Sequence, residues 1–589
     1  MLLGAWFILT VLAPVRSFST ATGRRADAAL PDLYEATIAE LQDGLDAERF
    51  TSVDLVNAYF ARIKEVNEEL HAVIETSPTA LAQAAELDVQ RKDGKKLGPL
   101  HGIPILVKDN IATRVEDGMN TTAGSYALLG SAVSGDSSVV AKLRAAGAII
   151  IGKTNLVRVG AGVPGRYQLN FSRNGQRLAR WRQMAGRAEA GRPQARIIHG
   201  GSGVAASIGL AAVTLGTETA GSITCPASKN NVVGVKATVG LTSRTGVVPI
   251  SQHQDTVGPL TRTVTDAAIV LNVIAGKDAA DNYTNAQPDA VPDYVFFLEK
   301  DALKVARLGI PREPYSGRTS TRNSLGAVIT DPANIPTAAN ESSSGDVLHV
   351  DLKFDMQAYL ATLNEIPTNV HTVDDIAAFN DAHKDLEEPQ LDAYTSWNLH
   401  FNLAKDRQKD DAYTAAVALS YDLGRTKGID AALKEHNLDA LVLPDSSLMY
   451  TMAGMAGYPI VTVPLGFLPN DTKILDVSGK DEVIETAPGI PFGLLFVGTA
   501  FSETKLLAYA YAFEQATNVR LGRRAYEKAT PKTQLADVFG LGAGGASGSA
   551  GAPSAEQTAA TGAAFRLWGY GATWMVGASV VGLRVFFGF

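Results

Sequence analysis

The sequence predicts an α/β fold, with a mixed β-sheet core covered by helices on both faces. Short apolar runs typical of strands alternate with segments whose apolar residues recur every three or four positions, as in helices. Of the 589 residues, 46% are hydrophobic and 19% are charged, so the chain can bury a large core. The formal net charge of −8 gives no reason to expect nucleic acid as a partner.

Local patterns predict the individual elements. Helices are expected over 33–42 and 52–66, the second after a helix start signal at residues 51–54. Strands are expected over 103–107 and 148–151, and the small residues of 205–215 suit a segment that lies close against a sheet. Residues 340–435 are predicted to be mostly helical and polar, as in an insertion on the substrate side of a domain.

A lysine and a serine are the candidate chemical groups. Lys108 ends an apolar run, and Ser222 lies on a glycine-flanked turn in the run Gly-Thr-Glu-Thr-Ala-Gly-Ser-Ile of 216–223. A serine hydroxyl of ordinary pKa is a poor nucleophile at neutral pH, so it needs a base beside it. A buried lysine can be that base, because burial disfavours the ammonium form. The one cysteine, Cys225, allows no intrachain disulfide and is expected to pack beside this turn.

At these residues the chain resembles the amidase signature family, and within it the fungal-type amidases. Several long motifs in the right order are more specific than one short pattern. They include Leu-His-Gly-Ile-Pro before Lys108, Asn-Thr-Thr-Ala-Gly-Ser at 120–125, the Ser222 run, and stretches at 234–236, 243–249, 255–259, 456–464 and 491–494. The resemblance covers residues 30–530 and implies a single large domain that hydrolyses a small-molecule amide without a cofactor or a metal.

The resemblance also implies roles for the site residues, because the family uses a Ser-Ser-Lys triad. Ser222 would be the nucleophile that forms an acyl-enzyme, Lys108 the base, and a second serine the bridge that relays the proton between them. The backbone N–H groups of Thr219, Ala220, Gly221 and Ser222 are expected to face the developing oxyanion. A side chain at Gly221 would push the substrate away or prevent the backbone dihedrals of the turn.

The bridging position departs from the family pattern, which is Gly-Gly-Ser-Ser-(Ser/Gly)-Gly-Ser. Aligned backward from Ser222 without a gap, Ile198 falls on the bridging position, and isoleucine cannot carry a proton. With a gap, Ser202 becomes the bridge, but its spacing to Ser222 is then about four residues short, roughly one helical turn. We favour the ungapped alignment because the small residues of 205–212 keep their register only that way. Ser202 or water would then stand in as the relay.

An arginine-rich segment precedes this point. Residues 164–199 hold eight arginines and one acid, Glu189, with no amphipathic period and no match to the family. We interpret the segment as translation of a wrong frame or of an unspliced stretch, since the resemblance stops after Leu156 and resumes at Gly201. The alternative is a basic surface loop that contacts anionic lipid or RNA.

Three functions therefore stay open. The first is an amidase that acts on a small or lipid-like carboxamide. The second is a catalytically impaired relative that folds and binds ligands, because the bridging serine is displaced or missing. The third is the glutaminase subunit of a tRNA-dependent amidotransferase, which shares the motifs but is not expected to have a secretory start or a glycine-rich tail.

The two ends suggest a location. Residues 1–19 fit a secretory signal segment, which predicts a secreted, endomembrane or cell-surface protein, while the nearby arginines and serines leave a mitochondrial presequence as the alternative. Glycosylation motifs that this route would expose are at Asn120, Asn170, Asn282, Asn340 and Asn470, of which Asn120 is too close to the site motifs to be an expected target. Residues 540–589 form a Gly/Ala/Ser-rich linker and an apolar tail, interpreted as a membrane anchor or a single span, against an unstructured tail.

Overall fold

The computed structural model describes residues 29–156, 200–313, 325–338, 345–387, 397–476 and 484–539. The chain divides into a unit that ends at Phe539 and a second unit, 540–589. Several sequence predictions fall outside the described residues: the signal segment 1–19, the arginine-rich segment 164–199 with Ile198, the tail 540–589, and the acceptors Asn170 and Asn340.

An 11-stranded mixed sheet forms the centre of the first unit, in the order β1-β3-β2-β4-β6-β5-β10-β13-β9-β7-β8. Its strands are β1 Val73–Thr76, β2 Pro104–Lys108, β3 Ile149–Thr154, β4 Val213–Glu218, β5 Val233–Lys236, β6 Thr256–Thr261, β7 Arg307–Gly309, β8 Val328–Thr330, β9 Ala440–Pro444, β10 Ile460–Phe467 and β13 Pro491–Val497. Strands β2 and β3 run parallel, as do β2 and β4, whereas β4 and β6 run antiparallel. A separate two-stranded sheet pairs β11 Leu475–Asp476 with β12 Ile484–Thr486.

Fifteen α-helices lie in the described part of the chain. They are α1 Ile38–Asp46, α2 Ser52–Leu70, α3 Ala80–Lys92, α4 Ser138–Ala145, α5 Gly201–Ser207, α6 Thr224–Lys229, α7 Val264–Ile274, α8 Gly345–Leu360, α9 Val373–Ala382, α10 Lys384–Glu387, α11 Trp397–Lys405, α12 Asp411–Tyr421, α13 Asp430–Glu435, α14 Ser447–Ala456 and α15 Glu503–Thr517. A π-helical stretch, Asp422–Ile429, joins α12 to α13.

Burial along the central strands confirms the predicted fold class. Every residue of β2, β3, β4, β5 and β6 is buried, and successive side chains of a strand point to opposite faces, so both faces of the sheet are covered. The strands expected over 103–107 and 148–151 correspond to β2 and β3. The small residues that follow position 205 pass from α5 into β4 and allow the close approach.

One predicted helix begins later than expected. The apolar spacing placed it over 33–42, whereas α1 starts at Ile38. Thr37 caps it: its hydroxyl accepts a hydrogen bond from the Glu40 N–H, and the Glu40 carboxylate accepts one from the Thr37 N–H. This capping box fixes the start of the helix. Leu33 and Tyr34 are buried in the core before it, so their spacing reflects packing and not helix.

The expected helical insertion is present, since α8 to α13 occupy most of the described residues between 345 and 435. Its apolar side chains form a cluster with those of residues 123–128 and Val248. The insertion therefore packs against the end of the sheet from which Lys108 emerges. Among the described residues, none of the helices combines the length and the hydropathy needed to cross a bilayer.

Candidate active site

Lys108 ends β2 in the middle of the parallel part of the sheet. Its Nζ donates to the Thr217 carbonyl at 3.1 Å and to the Thr217 Oγ1 at 2.9 Å. The side chain is 6% exposed. Burial lowers the pKa of Lys108 to about 8, although Asp255 and Glu218 oppose the shift by favouring the charged form. The ammonium form still predominates at pH 7, but the neutral amine that a general base requires is far more accessible than in an ordinary lysine.

Two other buried lysines have the same pKa but a different setting. Burial lowers the pKa of Lys153 and of Lys236 to about 8 as well. Lys153 Nζ donates to the Ile111 carbonyl and to Thr121 Oγ1, and Lys236 Nζ donates to the Tyr458 carbonyl. Neither hydrogen-bonds to the 216–222 run. The contact with Thr217, and not the pKa, therefore distinguishes Lys108.

The turn that carries Ser222 follows β4 and leads into α6. Glu218, the last residue of β4, accepts hydrogen bonds from the backbone N–H groups of Ile223 and Thr224, both at 2.8 Å. The same carboxylate accepts from the Thr224 hydroxyl at 3.0 Å. Three donors on one carboxylate tie the end of the strand to the start of the helix. The four residues between them, 219–222, are thereby held in a closed loop.

The N–H groups inside this loop are unused. Among the described residues, the backbone N–H groups of Thr219, Ala220, Gly221 and Ser222 donate no hydrogen bond, and neither does the Ser222 hydroxyl. Thr219 and Gly221 are buried, where backbone N–H groups are normally paired, whereas Ser222 is half-buried and Ala220 is exposed. A row of four N–H groups without a protein acceptor can bind an external oxygen. Their predicted role in binding an oxyanion stays a prediction.

Gly221 has a backbone conformation that favours glycine, and a neighbouring ring leaves little room for a side chain. Its φ is +91°, a region that side chains rarely adopt. A Cβ built there would lie 2.9 Å from the Tyr450 ring, which packs over the turn. Tyr450 in turn donates its hydroxyl hydrogen bond to Asp445, which also pairs with Lys229 at 3.0 Å. Any larger residue at 221 would displace the ring and the turn together.

Cys225 lies beside this wall, as expected. It packs in the cluster that contains Tyr450, and burial raises the pKa of its thiol to about 12. A thiol with that pKa is protonated at neutral pH and is a poor nucleophile.

Ser202 lies in the first turn of α5, on the face of the sheet to which Lys108 points. Lys108 and Thr154 are paired neighbours in β2 and β3 and so share a face. The Ser202 Oγ lies 2.6 Å from the Thr154 Oγ1 and donates to the Leu215 carbonyl at 2.9 Å. It makes no hydrogen bond to Lys108 or Ser222. Its role as the bridge stays a prediction.

Three buried arginines fix the chain just after Ser202. Arg62, Arg262 and Arg520 come from distant parts of the sequence and donate to backbone carbonyls at the end of α5 and before β4. The accepting carbonyls belong to Ala206, Ser207, Ile208, Gly209, Ala211 and Ala212. These donors satisfy carbonyls that a helix end leaves unpaired. The position of Ser202 is therefore set from its C-terminal side.

Sequence reasoning missed two groups next to the predicted site. Thr217 accepts both hydrogen bonds of Lys108 Nζ, and its hydroxyl also accepts one from the Asn110 side-chain amide at 3.0 Å. Asp255 accepts from the Thr219 hydroxyl at 2.5 Å. Thr217 and Asp255 both lie in the motifs that carried the family resemblance. No local pattern shows that Thr217 meets Lys108, from which it is separated by 109 positions, or that Asp255 meets Thr219, from which it is separated by 36.

The chain is similar to known proteins over most of its length. The family model described as Amidase matches residues 54–507. A protein of Arthroderma benhamiae named "Putative amidase" is 40% identical over 532 residues, covering 83% of this chain and 87% of its own length. One subunit of the glutamyl-tRNA(Gln) amidotransferase of Prochlorococcus marinus is more distant, at 30% identity over 520 residues, with 82% of this chain and 97% of that protein covered.

A solved structure is similar over nearly its whole length. The native peptide amidase of Stenotrophomonas maltophilia superposes with a TM-score of 0.71 at 37% sequence identity. The match covers 84% of this chain and 98% of that chain.

Proposed function

This chain belongs to the amidase family, and from that premise we propose that it hydrolyses the C–N bond of a carboxamide through an acyl-enzyme on Ser222, with Lys108 as the base. Family membership and the likeness to a peptide amidase support amide hydrolysis. The observation that carries the finer assignment is the contact between Lys108 and Thr217, which joins the buried lysine to the strand that leads into the turn of the nucleophile.

The proposed chemistry proceeds in two stages that use the same groups. The Ser222 oxygen attacks the amide carbon while its proton passes, through a relay, to the neutral Lys108 amine. The carbonyl oxygen becomes an oxyanion that accepts hydrogen bonds from the N–H groups of 219–222. The C–N bond then breaks as the proton passes from Lys108 to the leaving amine. Water attacks the acyl-enzyme by the same route and releases the carboxylic acid.

We propose that the substrate is a peptide amide. The support is the likeness to a solved peptide amidase at 37% identity, above the 30% shared with the amidotransferase protein. To test this, ammonia release would be measured from a peptide amide, a fatty acid amide and free glutamine. We expect release from the peptide amide above the background of Ser222→Ala. Hydrolysis of glutamine alone would instead favour the amidotransferase glutaminase, and no release from any of them a ligand-binding relative.

The impaired alternative has one observation in its favour. Both acceptors of Lys108 Nζ belong to Thr217, and neither is a serine hydroxyl. General acid–base assistance is worth about 10²–10⁴-fold, so an enzyme without a well-placed relay should be slower than its relatives by roughly that factor.

Ser202 is the residue that decides between these cases. Its hydroxyl is satisfied by Thr154 and Leu215, which supports a structural role. We therefore expect Ser202→Ala to leave kcat within about threefold, and to lower the free energy of unfolding by about 1–3 kcal/mol, because it removes two buried hydrogen bonds and leaves their partners unpaired. Steady-state kinetics and urea unfolding measure the two effects. A loss of about 10²-fold or more in kcat, with the fold intact, would identify Ser202 as the bridge.

A further inference from the structure

The Thr219–Asp255 pair lies where the antiparallel ladder of β4 and β6 stops. Glu218 is paired with Thr256 at the end of that ladder, so Thr219 and Asp255 are the next residues in register. Just beyond the ladder, the Thr219 hydroxyl donates to the Asp255 Oδ1 at 2.5 Å. A side-chain hydrogen bond thus links the two segments where the strand pairing ends. The Thr219 N–H has no acceptor among the described residues.

Asp255 is itself held rigidly. Its second oxygen accepts from the backbone N–H groups of Ile250 and Ser251, at 2.7 and 2.9 Å. The Ser251 hydroxyl donates to Asp351 in α8 at 2.5 Å, and Asp351 also accepts from Tyr413 in α12 at 2.6 Å. Asp351 is fully buried. Polar groups buried in such a chain can adopt few other arrangements without leaving one of them unpaired.

These contacts end at the first of the four unused N–H groups. We propose that Asp255 is a positioning residue that, through the Thr219 hydroxyl, orients the oxyanion-binding turn, and that Asp351 of the helical insertion anchors Asp255 through Ser251. The inference rests on the proposed function, since it assumes that the 219–222 turn binds an oxyanion. It assigns the insertion a part in holding the turn, in addition to packing beside it.

The sharpest variant is Thr219→Val, which keeps the shape of the side chain and removes the hydroxyl. Because a misplaced donor weakens binding of the transition state more than of the substrate, we expect kcat to fall about 10- to 100-fold with KM changed less than about threefold. Thr219→Ser restores the hydroxyl and should recover most of kcat. Asp255→Asn should lower kcat similarly, and the double variant Thr219→Val with Asp255→Asn should lose no more than the worse single variant.

A peptide aldehyde gives a second readout. It forms a tetrahedral adduct with a serine, so its inhibition constant should rise by the same factor as kcat/KM falls across the variants. Assays run at about pH 9.5, above the pKa of Lys108 of about 8, keep that lysine neutral in every variant. The control is Asp266→Asn in α7. Asp266 is a buried carboxylate that accepts a hydrogen bond from the Ile38 N–H and makes no hydrogen bond to the described residues of the 219–222 turn. It should lower stability and leave kcat and aldehyde binding unchanged.

Two results would overturn the inference. Thr219→Val with wild-type kcat and aldehyde affinity would show that Asp255 does not orient the turn, even if Asp255→Asn fails to fold. A loss that raises KM alone would place the pair in substrate binding. In both cases hydrolysis by the wild type would leave the proposed function standing. A wild type that neither hydrolyses a peptide amide nor binds the aldehyde would remove both.

Discussion

Ser222→Ala is expected to abolish both amide hydrolysis and labelling by a fluorophosphonate probe. The probe reacts with an activated serine, and Ser222 is the serine that lies beside the unused N–H groups of its own turn. Loss of a nucleophile removes the acyl-enzyme route, so kcat should fall by at least about 10³-fold. Because the Ser222 hydroxyl makes no hydrogen bond among the described residues, the melting temperature should stay within a few degrees of the wild type. Gel fluorescence, ammonia release and thermal unfolding measure the three effects.

Ser228 provides the matched control six residues further on. It is buried, and its hydroxyl accepts the Gly493 N–H at 2.7 Å, so it lies in α6 near the turn but is already paired. Ser228→Ala should lose some stability and keep both labelling and hydrolysis. Labelling that survives in Ser222→Ala would assign the nucleophile to another serine.

The sequence predicted those parts of the structure that local patterns encode. Strands β2 and β3 were predicted because unbroken apolar runs are typical of strands buried on both faces. The helix expected from residue 33 was misplaced at its start because Leu33 and Tyr34 are buried by packing outside a helix, so their spacing imitates a helical period.

The polar contacts of the site could not be predicted in the same way. Lys108 and Thr217 meet because β2 and β4 are adjacent parallel strands, and Thr219 and Asp255 meet because β4 and β6 are paired. Strand order is a property of the whole fold and leaves no periodic signal in either segment. The family resemblance pointed to Lys108 and Ser222 because they stand in its motifs. The contacts made by Thr217 and Asp255 became visible only when the strands were assembled into the sheet.

The same reason applies to the arginines behind Ser202. Arg62, Arg262 and Arg520 are separated by hundreds of residues in the sequence, and each has its guanidinium among the carbonyls of 206–212. A single buried arginine in a sequence is indistinguishable from a surface one, since both occur in polar helical or loop contexts. Their convergence reflects the need to pair carbonyls at the end of a short buried helix.

Lys108→Met is expected to remove most of the activity together with its pH dependence. In the wild type, kcat/KM should rise with pH through a single titration near pH 8, because burial lowers the pKa of Lys108 to about 8 and only the neutral amine accepts a proton. Activity is thus lost as the pH falls below that value. Methionine fills a similar volume without an amine, so the rate should drop by about 10²–10⁴-fold and the acid limb should disappear. Initial rates between about pH 6 and pH 10 measure both.

Stability distinguishes a lost base from a lost fold. The pKa of Lys108 is lower in the folded chain than its usual 10.5, so below pH 8 the buried ammonium destabilises the fold, and this penalty disappears as the pH rises from 8 to 10.5. A shift of that size corresponds to about 3 kcal/mol at most, from which the lost hydrogen bonds to Thr217 subtract. Lys108→Met should therefore be at least as stable as the wild type at pH 7 while being inactive.

Lys236→Met is the control, because Lys236 is also buried, has its pKa lowered to about 8, and donates to the Tyr458 carbonyl and not to Thr217. It should keep both the rate and the acid limb. Should the limb persist in Lys108→Met and vanish in Lys236→Met, the titrating base would be Lys236, and Lys108 would be a structural residue that holds Thr217 in place.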